Sequence, residues 1–248
     1  GLEKCLLNES ISWKNNRKRK PDKKYVHAQK LASKKKYRNH TFQRVPSGVG
    51  APAGDVTRAA DNQAMFETAT ERYGGVDVFL ANAGIEGDVK SIVEYDEDRF
   101  DQVLGVNVKG VFLGLKSAIP AMQARGGGSV VITSSVAGVT GAAGVSAYVT
   151  SKHAVIGLMR TAAKECAPLN IRVNTVNPSP VETRMMRSLE EGMLPGSAEA
   201  AKEAMTASIP MGRYGTPDEI ARVMLFLASE DSAWITGSVY MADGGFTA

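Results

Sequence analysis

A doubly wound parallel β-sheet with helices on both faces is the fold class this sequence predicts, and three observations predict it. From residue 54 onward, short apolar runs ending in turn residues alternate with longer segments whose apolar residues recur at helical spacing. The strand-like runs are almost continuously apolar, as strands covered on both faces must be. The 248 residues, 43% of them hydrophobic, fit one large α/β domain or two small ones. A Rossmann-like single domain of about seven strands over residues 1–248 is the expected architecture.

The elements follow in order. Asp55-Val56-Thr57 reads as a helix start, with Thr57 a candidate N-cap. Val76 to Ala81 is a buried strand that ends in the turn Asn82-Ala83-Gly84. Asp96 to about Arg125 carries Phe100, Val103, Leu104, Val108, Val111, Phe112, Leu115, Ile119 and Met122 at helical spacing, and Gly126-Gly127-Gly128 stops it. Ser129 to Ser134 is the next strand, Ala147 to Ala167 the next helix, and Ile171 to Val176 a third strand. Pro217-Asp218-Glu219 opens a helix to about Ala228, with proline in the first turn and acids beside it. Ser238 to Met241 is a last short strand. Ligands in such sheets bind beyond the carboxyl ends of the strands, so the turns after Ala81, Ser134 and Val176 are where chemistry is expected.

Bulk properties exclude several classes. No apolar run approaches the ~20 residues of a membrane span, and the opening has no signal-peptide core. Cys5 and Cys166 are too few for a disulfide framework, and a cytoplasmic location is expected. Charge is distributed unevenly. Residues 1–50 carry 14 Lys/Arg against 3 Asp/Glu, and the remainder 16 against 23, giving the net +4. A basic opening of this kind, densest from Arg17 to Arg38, reads as a solvated tail or as a nucleic-acid arm on a degenerate scaffold.

The sharpest chemical signal is Ser135 at the end of a strand, Tyr148 thirteen residues on, and Lys152 four beyond that. Spacing of i, i+4 places Tyr148 and Lys152 on one helix face. A phenol with pKa near 10 is a poor proton donor at neutral pH, and a neighbouring ammonium favours its phenolate. A serine hydroxyl can hold the same substrate oxygen. Alone, such a pair is more often a half-buried tyrosine beside a surface lysine.

The run Ile132-Thr133-Ser134-Ser135-Val136-Ala137-Gly138 through Tyr148-Val149-Thr150-Ser151-Lys152 resembles the active-site segment of the short-chain dehydrogenase/reductases. Asn82-Ala83-Gly84 resembles that family's Asn-Asn-Ala-Gly turn, with Ala81 in place of the first Asn. Val106-Asn107-Val108-Lys109-Gly110, Asn174 to Thr183, and Asp243-Gly244-Gly245 resemble further family motifs in the family's order. The resemblance spans residues 54–248. It implies an oxidoreductase moving a hydride between NAD or NADP and a secondary alcohol or ketone. Tyr148 is then the acid/base, and Lys152 its modulator and holder of the nicotinamide ribose. Ser135 orients the substrate oxygen, and Asn107 binds a water in a proton relay, within a helix kinked around it. Asp55 and Val56 are implied at the adenine, Asn82, Ala83 and Gly84 at its ribose, and Pro178, Val181 and Thr183 at the nicotinamide. Ser179 departs from the family's usual glycine. No metal is implied.

The resemblance further implies a homotetramer, to which the apolar C-terminal strand with Trp234 and Phe246 is suited. It makes residues 184–211 a substrate lid, rich here in Met185, Met186, Met193, Met205 and Met211. Methionine adapts to irregular apolar shapes, so an apolar or cyclic substrate is expected. A 3-oxoacyl-carrier-protein reductase is the same-class alternative. The family's glycine-rich phosphate loop has no counterpart in the opening, since no glycine occurs between Gly1 and Gly48. Gly48-Val49-Gly50-Ala51-Pro52-Ala53 imitates it, but Pro52 and the fit of Asp55-Val56-Thr57 to the adenine turn make that run a loop. The residue that chooses NAD or NADP also falls in this opening.

Overall fold

The computed structural model describes residues 54–248, together with a two-residue antiparallel pairing of Trp13–Lys14 with Thr41–Phe42. The basic run, the expected phosphate-loop position and the Gly48–Ala53 run lie outside the described residues. Helix α1 spans Ala59–Tyr73, and strand β1 Val78–Ala81. Helices α2 (Glu97–Leu104) and α3 (Gly110–Gln123) are joined without a break through a π-helical segment, Gly105–Lys109. Strand β2 (Gly128–Thr133), helix α4 (Ser146–Cys166) and strand β3 (Ile171–Pro178) follow. Helices α5 (Arg184–Met193) and α6 (Ala198–Ala207) come next, then α7 (Pro217–Ala228) and strand β4 (Val239–Ala242).

The four strands form one parallel sheet in the order β1-β2-β3-β4. About seven strands are expected over the whole chain, and the sheet has four among the described residues. One sheet face is covered by α1, α3 and α4, where Phe66, Phe79, Leu115, Met122, Val130 and Met159 form the main core. On the other face Val131 and Val176 meet Met224 and Leu227 of α7. Phe66 and Phe79 meet edge to face with centroids 5.1 Å apart, binding α1 to β1. Glu97–Gln123 is long and apolar enough to cross a membrane by length and composition. Burial of Val103, Val111, Leu115, Ala118 and Met122 makes it a core helix here.

Capping explains several ends. The Asp96 carboxylate accepts from the Arg99 N–H at 2.8 Å to start α2. Thr216 and Glu219 form a reciprocal capping box at α7, with Pro217 in its first turn. Gly74 closes α1 at φ +81°, a left-handed conformation costly to any side chain. Thr57 is not the N-cap of α1, which is Arg58. The Thr57 N–H and hydroxyl both donate to Asp55 Oδ1 at 2.8 Å, forming a turn of their own before the helix begins.

Candidate active site

The parallel sheet delivers the carboxyl ends of β1, β2 and β3 to one edge of the molecule, and the predicted residues gather there. Ser135 follows β2. Its hydroxyl accepts from the Ala137 N–H at 3.2 Å, and its carbonyl accepts from Asn177 Nδ2 at 2.8 Å. Pro178, at the end of β3, offers its carbonyl to the Ser135 hydroxyl at 3.4 Å. Tyr148 and Lys152 stand one turn apart on α4, with the Lys152 ammonium 5.3 Å from the centre of the Tyr148 ring. Lys152 is buried, and Nζ donates to the Thr133 carbonyl at 2.9 Å. Ser134 Oγ donates to the Lys152 carbonyl at 3.0 Å, tying the strand end to the helix.

Burial sets the electrostatics. It pushes the Tyr148 phenol up to about 12, against a hydrogen bond with Ser135 that lowers it, while the Glu86 charge raises it further. Burial lowers Lys152 to about 8. The protein alone therefore keeps the phenol protonated, contrary to the expectation that the ammonium dominates.

Asn107 sits 2% exposed in the π-helical segment, which is the local departure from α-helix that an asparagine there predicts. Its side chain donates to Ile85 O and to Ser151 Oγ, and accepts from the Ile85 N–H, each at 2.9 Å. The amide thus clamps the chain leaving β1. Gly84 comes so close that a Cβ there would lie 3.3 Å from Asn107 Oδ1 and 3.7 Å from Lys152 Nζ. Asn82 accepts from Thr133 Oγ1 at 2.7 Å, so the Asn82-Ala83-Gly84 turn is fixed to β2.

The other predicted residues lie along the same edge or beside it. Val181 pairs with Gly215 in an isolated bridge. Thr183 caps α5, accepting from the Met186 N–H at 3.4 Å. Asp55 is exposed before α1, its carboxyl held low by the two hydrogen bonds from Thr57. In the lid, Met186 is buried, and Met185 and Met205 pack in the same apolar cluster, which also touches Tyr148. Phe246 joins that cluster, whereas Met211 and Trp234 are exposed. Ser151, Thr133 and Glu86 were not singled out from sequence. A polar residue beside Lys152 and another at the end of a buried strand were the available signals for the first two.

Two features fit a nicotinamide cofactor. The backbone at Gly84 leaves no side chain between it and Lys152, and the buried ammonium has Thr133 O as its acceptor among the described residues, leaving donors for ligand hydroxyls.

A parallel α/β sheet with serine, tyrosine and lysine converging beyond its strand ends defines a nicotinamide-dependent oxidoreductase. Comparison with known proteins agrees. A family model described as Enoyl-(Acyl carrier protein) reductase matches residues 10–247. The 3-oxoacyl-[acyl-carrier-protein] reductase of Thermotoga maritima is 40% identical over 201 residues, covering 81% of this chain and 78% of its own. Cyclohexanol dehydrogenase of an Acinetobacter species is 37% identical, covering 75% of this chain and 70% of its own. A crystal structure of NAD+-bound xylitol dehydrogenase superposes with a TM-score of 0.74 at 33% identity, covering 78% of each chain. The chain belongs to the short-chain dehydrogenase/reductase family, enzymes that use NAD(P) on CH–OH groups.

Proposed function

We propose that this protein interconverts a secondary alcohol and its ketone, with an apolar or cyclic carbon frame, in a single domain that assembles as a homotetramer. The observation that carries the reading is the meeting of the Ser135 hydroxyl, the Tyr148 phenol and the buried Lys152 ammonium at one strand end.

Tyr148 moves the proton. In the reducing direction its protonated phenol donates to the carbonyl oxygen, and in the oxidising direction its phenolate accepts from the carbinol. Ser135 holds that oxygen by a second hydrogen bond. Lys152, fixed by Thr133, would hold the ribose hydroxyls of the cofactor beside the phenol. Asn107 positions the Asn82-Ala83-Gly84 turn through Ile85, beside the relay water proposed for it. Asp55 and Val56 would hold the adenine, and Pro178, Val181 and Thr183 the nicotinamide. A bound nicotinamide supplies or takes the hydride. The fully exposed Trp234 supports an oligomer contact.

A second reading within the same class, a 3-oxoacyl-carrier-protein reductase, is supported by the 40% identity to the Thermotoga maritima enzyme. Turnover of cyclohexanol against a short 3-oxoacyl thioester separates the two. Titration with NADH and NADPH, followed by nicotinamide fluorescence, tests the reading as a whole. Binding of one or both is expected, and failure of both would overturn it.

A further inference from the structure

Glu86 is a carboxylate that the proposed chemistry does not use. It is 8% exposed, and its side chain is in none of the hydrogen bonds or ion pairs among the described residues around it, which engage Ile85 and Asp88 instead. Its carboxylate oxygens are not shut away from solvent, so they keep their capacity to accept hydrogen bonds. The backbone that carries it is fixed on both sides. Asn107 holds the N–H and carbonyl of Ile85. Past Gly87, which adopts φ +76°, the Asp88 N–H donates to the Tyr95 hydroxyl at 3.0 Å, and Arg99 Nε pairs with the Asp88 carboxylate at 3.1 Å.

The same stretch forms a wall of the cleft. Lys90 pairs with Val145 in a parallel bridge, and its N–H donates to Gly144 O at 2.8 Å, just before the helix that bears Tyr148. Val89 fits against Gly144 and Gly192, where an added Cβ would come within 3.2 Å and 2.7 Å of it. The chain from Gly84 to Lys90 therefore runs between Asn107, the start of α4 and the lid helix α5. Glu86 is close enough to Tyr148 for its charge to act on the phenol.

Resting on the dehydrogenase reading, we propose that Glu86 is a specificity-determining residue whose carboxylate accepts a hydrogen bond from a second hydroxyl of the substrate, one that does not react. The substrate class narrows from an apolar ring or chain to one that carries a hydroxyl away from the reacting carbon. A substrate bearing its own carboxylate at that place meets a like charge and is turned away.

Three ketones test this: 4-hydroxycyclohexanone, cyclohexanone and 4-oxocyclohexanecarboxylate, reduced with NADH and with NADPH by the wild type, Glu86→Gln and Glu86→Asp. The wild type is expected to rank them in that order by kcat/KM. In Glu86→Gln the ratio of hydroxyketone to cyclohexanone falls about tenfold, as loss of a hydrogen bond to a charged group implies. The ratio of carboxylate to cyclohexanone rises in the same variant, and Glu86→Asp recovers part of the first ratio. Each comparison is a ratio between substrates on one enzyme preparation, so a partly folded variant does not imitate it. Ratios equal in wild type and Glu86→Gln overturn the inference alone. A wild type that reduces none of the three with either cofactor overturns the dehydrogenase reading and the inference with it.

Discussion

Replacing Asn107 with alanine tests how the strand-end turn is held. The side chain makes three hydrogen bonds of 2.9 Å, two to the backbone of Ile85 and one to Ser151, from a position 2% exposed. At about 1 kcal/mol net for each bond, their loss costs ~3 kcal/mol. Alanine returns about 0.6 kcal/mol through its better helix propensity, leaving a net loss between roughly 2 and 3 kcal/mol. That is a large part of the 5–15 kcal/mol typical of a folded domain. Urea unfolding followed by far-ultraviolet circular dichroism measures it, provided the slopes of the two proteins agree. Asn107→Asp separates the bonds, because it keeps an acceptor for the Ile85 N–H but sets a second oxygen against the Ile85 carbonyl. It is expected to be at least as unstable as the alanine variant. A loss below about 0.5 kcal/mol in both variants would show that Ile85 finds other partners and that the clamp is not a stabilising feature.

The remaining predictions concern the catalytic pair and its packing. Tyr148→Phe should abolish turnover and leave NADH or NADPH affinity nearly unchanged by fluorescence titration; normal turnover would remove Tyr148 from the chemistry. Lys152 has a folded pKa of about 8, below its ordinary 10.5, so the unfolded chain binds the extra proton between those values. Stability should therefore rise with pH from about 8 to 10.5, by up to ~3 kcal/mol. Tyr148, raised to about 12, reverses the trend between 10 and 12, where the folded protein holds the proton that the unfolded chain has lost. Lys152→Met should flatten the rise, which denaturation at several pH values would reveal. Gly138→Ala places a Cβ against Ser134 Oγ, 2.8 Å from the Lys152 carbonyl and 2.9 Å from Ile156 Cδ1. It should cost about 1–3 kcal/mol by overpacking, and an unchanged thermal midpoint would contradict the close approach.

Much of this site can be read in the sequence because its determinants are local. Ser135, Tyr148 and Lys152 lie within eighteen residues, and the strand and helix that carry them have clean apolar patterns. Element ends were less legible. Strand β3 runs on to Pro178 because its last residues pair with β4, a neighbour some sixty residues away. The lid was expected only as a variable stretch. It folds as two helices whose short length and mixed composition give little periodic signal, and which are tied by long-range ion pairs such as Lys202 with Glu182 at 2.9 Å. Glu86 was invisible because Ile85-Glu86-Gly87 reads as an ordinary polar turn. The stretch that carries it is held by Asn107, Tyr95 and Val145, which come from three later parts of the chain.

The π-helical segment has a consequence for how the gene can vary. A π-turn holds one residue more than the α-helical turn it replaces, so Gly105–Lys109 contains a built-in surplus. Deleting a single codon there would leave a continuous, ordinary helix with every backbone bond made. Because the π-turn advances the helix about as far as the α-turn that would replace it, the helix beyond the deletion would keep nearly its present phase. Val111, Leu115 and Met122 would stay in the core, whereas Asn107 would lose the widened turn from which its amide reaches Ile85. The deletion should thus improve the local helix and leave the fold standing, at the expense of the hold that Asn107 has on the strand-end turn.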